Sequence, residues 1–138
     1  MFALTNDAQR VGVFCAERIG NTAGWAPTAT GIGLDRNGVI IAGVMYDRYT
    51  GPNVVAHIAG VPGSRWMTRN FLRAIFQYPF LGLEVKRLTA EVEVANTAAM
   101  RLNKHFGFQY EATLTDVFPS GDVDIMVMWK QDCRWLHI

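Results

Sequence analysis

The chain has 138 residues, of which 50% are hydrophobic and 18% charged, and thirteen basic residues against twelve acidic leave a net charge of +1. A chain of this length holds one core, so a single domain over residues 1–138 is expected. The apolar content excludes intrinsic disorder, and the balanced charge excludes a protein whose affinity rests on a broadly basic surface.

Two cysteines, Cys15 and Cys133, are too few for a disulfide framework and lie too far apart in sequence for a short metal motif. Asp7, Arg10, Glu17 and Arg18 interrupt any signal-like apolar run near the N-terminus. No stretch approaches the roughly 18 apolar residues of a membrane span. A cytoplasmic protein with reduced thiols is the expectation.

Asn6 and Gln9 have the spacing of a capping box, and Val11, Phe14, Cys15 and Ile19 follow at helical spacing, which predicts a helix over 6–19. Residues 20–24 end it. Strands are predicted over 28–34 and 39–49, joined at Asn37-Gly38, because Asn-Gly is the strongest short hairpin signal. Thr50-Gly51-Pro52-Asn53 turns into a third strand, 54–60. A loop at 61–64 precedes a helix over 65–78, with Met67, Phe71, Ala74, Ile75 and Tyr78 on one face. Arg65, Arg69, Arg73 and Gln77 are four apart on another face, and Pro79 closes the helix.

Residues 87–94 alternate, with Leu88, Ala90, Val92 and Val94 on one side and Thr89, Glu91 and Glu93 on the other. Asn96 is an N-cap for a helix over 97–105 that stops at Gly107. Strands over 108–118 and 123–130 form a last hairpin around residues 119–122. A right-handed crossover through the 65–78 helix makes strands 54–60 and 87–94 parallel neighbours. The expected architecture is therefore an α+β fold, a mixed and mostly antiparallel sheet with flanking helices.

Two places carry candidate chemistry. Gly60, Gly63 and Ser64 bring unhindered N–H groups to a helix N-terminus, with Arg65 and Arg69 beside them, which is a way to hold a phosphate; the same pattern also suits a plain strand-to-helix connection. On strand 87–94, Glu91 has the chemistry of a general base if it faces a dry cleft, and that of a solvated carboxylate if it does not. His57, His105 and His137 are scattered, and His57, alone in its strand, reads as structural. Cys15 reads as a core residue. Trp66, Trp129 and Trp135 read as core or interface, and the 123–129 strand with Trp135 is a candidate homodimer surface.

The run from Asn96 through Thr97, Ala98, Ala99, Met100 and on to His105-Phe106-Gly107-Phe108 closely resembles the Asn-x-x-Ala/Ser … Gly-Phe segment of GNAT-superfamily N-acetyltransferases. Residues 87–92 resemble the strand before it. Trp66-Met67-Thr68-Arg69 with Tyr78-Pro79-Phe80 resembles the branch containing the ribosomal-protein N-terminal acetyltransferases. The likeness spans about residues 38–130, and it implies a GNAT-like acyl-CoA N-acyltransferase fold with a shortened N-terminus and no clear first strand.

The resemblance implies transfer of an acetyl group from acetyl-CoA to a primary amine of a protein, peptide or small molecule, by direct attack. It places the cofactor arm along Ile58, Ala59 and Gly60 and the pyrophosphate on Gly63, Ser64, Arg65, Trp66, Thr68 and Arg69, with Asn96 at the arm. Arg65 stands where a second glycine is usual. Glu91 matches a strand glutamate that activates the amine in some members. The tyrosine that serves as general acid in many members falls at Asn103, which offers a hydrogen bond to sulfur but not an equivalent proton; Tyr46, Tyr110 or water are the replacements. The alternatives are a catalytically reduced acyl-CoA-binding or partner-binding protein, and an enzyme acting on nucleic acid through Arg65, Arg69, Arg73 and Lys104.

Overall fold

A computed structural model describes residues 1–138. Its first element was not expected. Phe2–Thr5 forms a strand, β1, antiparallel to β2 (Thr30–Arg36), so the anticipated lack of a first strand is corrected. Four residues with no apolar alternation carry no periodic signal of their own; the pairing partner creates the strand. The helix α1 (Ala8–Ile19) is capped by Asp7, not Asn6: the Asp7 carboxylate accepts from the Gln9 and Arg10 N–H groups at 3.2 and 3.3 Å. The shift by one residue puts the acceptor two and three positions before the N–H groups it satisfies.

The hairpin from β2 to β3 (Val39–Asp47) turns at Asn37 and Gly38 with φ of 54° and 88°, the left-handed pair that a tight hairpin needs. β3 then pairs antiparallel with β4 (Asn53–Gly60). The following helix, α2 (Arg69–Gln77), is shorter than predicted. Thr68 caps it by accepting from the Phe71 N–H at 3.2 Å, and Arg65 adopts a φ of 59°, outside any right-handed helix. The arginine stripe therefore does not form. Arg65 lies in the loop, while Arg73 donates to the Ile138 carbonyl and Gln77 to the Leu136 carbonyl.

Pro79 does not end the helical path. It sits in a wider turn, Tyr78–Gly82, because a proline ring pushes away the carbonyl four residues back and supplies no N–H to it. That carbonyl, of Ile75, instead accepts from the buried Tyr46 hydroxyl at 2.5 Å.

β5 (Arg87–Glu93) is parallel to β4 as expected, and α3 (Thr97–Phe106) carries the predicted caps. Asn96 accepts from the Ala99 N–H at 3.0 Å, and Gly107 closes the helix with a φ of 109°. β6 (Gln109–Phe118) and β7 (Gly121–Trp129) complete a seven-stranded sheet ordered β1-β2-β3-β4-β5-β7-β6. No helix is long and apolar enough to cross a membrane.

Helices cover both faces. Under α1 lies a small cluster of Val11, Cys15, Ala29, Met45 and Ala59. The main core lies on the other face, where Phe71, Ile75, Phe76 and Phe106 meet Leu88, Val92 and Met126. Trp135 stacks on Phe76 with ring centroids 6.1 Å apart, and its indole N–H donates to the Phe106 carbonyl at 2.7 Å. Trp135 is thus half-buried against the main core, and β7 lies between β5 and β6. Neither edge of β7 is free for pairing with a second copy, while Trp129 at its end stays exposed.

Candidate active site

Parallel pairing between β4 and β5 lasts only from Asn53↔Arg87 to Val55↔Thr89. Beyond it β4 stays with β3 as far as Ala42↔Gly60, while β5 stays with β7. The sheet splits. The Val61 N–H donates to the Ile41 carbonyl on the β3 side at 2.8 Å, and backbone groups alternate sides along a strand. Ala56, Ile58 and Gly60 therefore turn their N–H and carbonyl groups toward the gap, whereas those of His57 and Ala59 are committed to β3.

The gap opens into a cleft of about 900 Å³. Its apolar lining comes from Ala56, Ile58, Ala90 and Val92 of the two strands and from Ala98, Ala99 and Leu102 of α3. Its carboxylates and imidazole collect on one sheet face, where Asp47, His57, Glu91 and Glu93 share the odd-numbered side of their strands. Arg48, just past β3 with a φ of 53°, reaches across and holds both oxygens of Glu91, one by a 3.2 Å hydrogen bond from Nη1 and the other from Nη2. That hydrogen bond, against the cost of partial burial, keeps the Arg48 guanidinium charged to higher pH than usual.

His57 Nε2 lies 3.0 Å from Asp47 Oδ1. A carboxylate only accepts, so this ring nitrogen carries a proton, and in the neutral form of the ring Nδ1 is the nitrogen with the lone pair. Trp25 meets the imidazole edge-on at 5.0 Å between centroids. Burial pushes the Asp47 carboxyl up, but the His57 hydrogen bond and the His57 and Arg48 charges outweigh it, and the carboxyl sits below its ordinary value. Asn103, on the α3 wall, donates through Nδ2 to the Ala99 carbonyl at 2.9 Å and has no protein partner for its oxygen.

The loop at 61–68 lies past the end of β4. Ser64 is buried, its hydroxyl donating to the Val61 carbonyl at 2.7 Å and its own carbonyl accepting from Arg36 at 3.1 Å. Trp66 is buried too, edge-on to Phe71 and Phe106. A Cβ on Gly60 would lie 2.2 Å from the Trp66 ring, so glycine there is a condition of the indole's seat. The N–H groups of Gly63, Arg65, Trp66 and Met67 enter no backbone hydrogen bond.

Of the sequence-predicted site residues, Ile58, Ala59, Gly60, Glu91, Asn96 and Asn103 come together around the cleft. Gly63, Ser64, Arg65, Trp66, Thr68 and Arg69 do not line it; Ser64 and Trp66 are structural, and the Thr68 hydroxyl is used by the helix cap. Tyr46 is buried against Ile75, and Tyr110 is exposed and bonded to Thr113 at 2.8 Å; neither lines the cleft. Asp47, His57 and Arg48 were missed. Their signal was the turn centred on Gly51, which sets Asp47 opposite Val55 and leaves His57 as its diagonal neighbour.

Solved structures share this fold. The chain superposes on a point mutant of the spermidine N-acetyltransferase SpeG from Vibrio cholerae with a TM-score of 0.74 and 16% identity, covering 99% of this chain and 96% of that one. The chain has the GNAT fold. The same GNAT fold relates it to a dodecameric spermidine N-acetyltransferase from Vibrio cholerae, with a TM-score of 0.73 at 14% identity over 94% of each chain. A third match, the Vibrio cholerae enzyme in complex with CoA and spermine, has a TM-score of 0.71 at 15% identity over 95% of this chain and 96% of that one. No protein-family model matches the sequence, and no curated protein does. At such identities the likeness is one of fold, and one fold hosts many activities.

Proposed function

We propose that the chain is an acetyl-CoA-dependent N-acetyltransferase acting on a primary amine, in the cytoplasm. The observation that carries this reading is the split between β4 and β5, where unpaired strand-edge groups of Ile58 and Gly60 border an apolar trench with a carboxylate-rich wall. An extended, amide-bearing pantetheine arm suits such an edge, because it supplies the hydrogen bonds that a neighbouring strand would make. Its apolar stretches lie against Ala98, Ala99 and Leu102, with Asn96 at the start of α3. The N–H groups of Gly63, Arg65, Trp66 and Met67, ahead of the α2 N-terminus, are the donors for the pyrophosphate, with Arg65 and Arg69 as charges.

Transfer needs a neutral amine held on the thioester and N–H donors at the developing oxyanion. The edge N–H groups of β4 supply such donors, and the Asn103 side-chain amide donates to the departing sulfur. Glu91, Asp47 and Glu93 draw a cationic acceptor to the cleft; Glu91, gripped by Arg48, orients it. The acceptor that the neighbours' names suggest is a small polyamine, and peptide N-termini are the other candidate, the one the ribosomal-protein branch implies.

Thermal unfolding with CoA and acetyl-CoA, against ATP and NAD, tests the first half of the reading. Saturation at a hundred times Kd adds about 2.7 kcal/mol of stability. Thiol release with spermidine, spermine and unblocked peptides tests the second half. No shift with either CoA species refutes the assignment. A shift without thiol release supports a second reading, an acyl-CoA-binding protein, which the replacement of the acid tyrosine by Asn103 favours.

A further inference from the structure

We propose that His57 is the base that takes the proton from the acceptor amine, with Asp47 as the residue that positions it; this rests on the acetyl-transfer reading above. Three carboxylates and an imidazole line the same wall, and their surroundings separate their tasks. Both Glu91 oxygens are occupied by Arg48, so a proton arriving there must displace a guanidinium contact. His57 has no such obstacle. Its Nε2–H is spent on Asp47 at 3.0 Å, which selects the neutral tautomer whose lone pair is on Nδ1, a nitrogen with no protein partner. The imidazole lines the cleft with its side chain 16% exposed, screened enough to be held and open enough to meet a substrate.

The ring is held from two sides. Asp47 grips Nε2 and the edge-on Trp25 fixes the plane, so the imidazole cannot turn without breaking the carboxylate contact. The charged groups around the same cleft are Asp47 and Arg48 from the β3 end, Glu91 and Glu93 from β5 and Arg18 from α1. Asp47 stabilises the imidazolium that forms, as the third member of a base–orienter arrangement does.

In the step, the amine lone pair forms the C–N bond to the thioester carbonyl carbon. The C–S bond breaks and sulfur leaves with the electron pair. The proton lost by nitrogen passes to His57 Nδ1, and from there to solvent or the thiolate, so that amine and thioester give amide and thiol with nothing left over.

The test uses H57Q, H57A and D47N in the full chain, with thiol release and acetyl-CoA KM measured alongside the CoA thermal shift. H57Q is expected to lose about 100-fold or more in kcat, the usual range for a lost general base, while the CoA shift and the acetyl-CoA KM hold. H57A is expected to regain part of its rate with added imidazole, which a structural histidine does not allow. D47N is expected to lower kcat with the acetyl-CoA KM unchanged, and D47E to recover part of it. Wild-type kcat in H57Q and H57A overturns the proposal and leaves the transferase reading intact; so does a parallel loss of the CoA shift in H57Q, which makes His57 structural. Wild-type protein that binds CoA but releases no thiol with any amine overturns both.

Discussion

Replacing Tyr46 by Phe removes one oxygen from a site where it has a defined task. Tyr46 is 2% exposed, and its hydroxyl is a donor to the Ile75 carbonyl, the group that Pro79 leaves without its helical N–H. Y46F keeps the edge-on contact with Tyr78, 5.0 Å between centroids, so little packing is lost. What remains is a buried carbonyl short of a donor, a cost of about 1–3 kcal/mol. For a chain of this size each kcal/mol moves Tm by about 3–4 °C, so a fall of roughly 3–12 °C is expected. Urea and thermal unfolding of four proteins test the cause: wild type, Y46F, P79A and the double variant. An alanine at 79 brings back an N–H, so Y46F is expected to cost about 1 kcal/mol less in the P79A background. Equal losses in both backgrounds, or an unchanged Tm in Y46F, refute the reasoning.

The Gly60→Ala change puts a methyl 2.2 Å from the Trp66 ring, and is expected to cost about 1–3 kcal/mol and to weaken the CoA-induced shift by displacing the loop after β4; an unperturbed Tm with an unchanged shift counts against it. Burial pushes the Cys15 thiol up to about 12 and raises that of Cys133 as well, so iodoacetamide at pH 8 is expected to leave the native mass unchanged and to label both once urea is added. The Asp47 carboxyl titrates lower folded than unfolded, so its stabilisation is complete above the ordinary aspartate range, about 3.9, and is lost as pH falls through the lowered value. D47N is expected to flatten the decline of the urea midpoint in that acid window, and an identical decline in both proteins counts against it.

Much of the fold was legible because its signals are local. Asn37-Gly38 marks its hairpin by the backbone angles it tolerates, and Asn96 with Gly107 brackets α3 by the groups each satisfies. α2 misled because Arg65, Arg69 and Arg73 keep helical spacing across a residue where no helix exists; the Thr68 hydroxyl, placed to cap Phe71, starts the helix four residues later. β1 was illegible for lack of any pattern within four residues, three of them exposed. In the site, the orientation of Glu91 followed from strand alternation, but its partner Arg48 lies 43 positions away and depends on a left-handed residue that arginine seldom adopts. His57 looked solitary because a hairpin's diagonal pairs show only once its centre is chosen.

The tie between α2 and the segment after β7 bears on how the chain assembles. Gln77 and Arg73 find their acceptors 59 and 65 positions downstream, and Trp135 arrives with them to cover Phe76. While the polypeptide is being synthesised, α2 therefore waits with an aromatic flank open to water until residues 134–138 have emerged, long after both strands of the cleft exist. Nascent chains halted before residue 134 should engage chaperones that chains released after it escape.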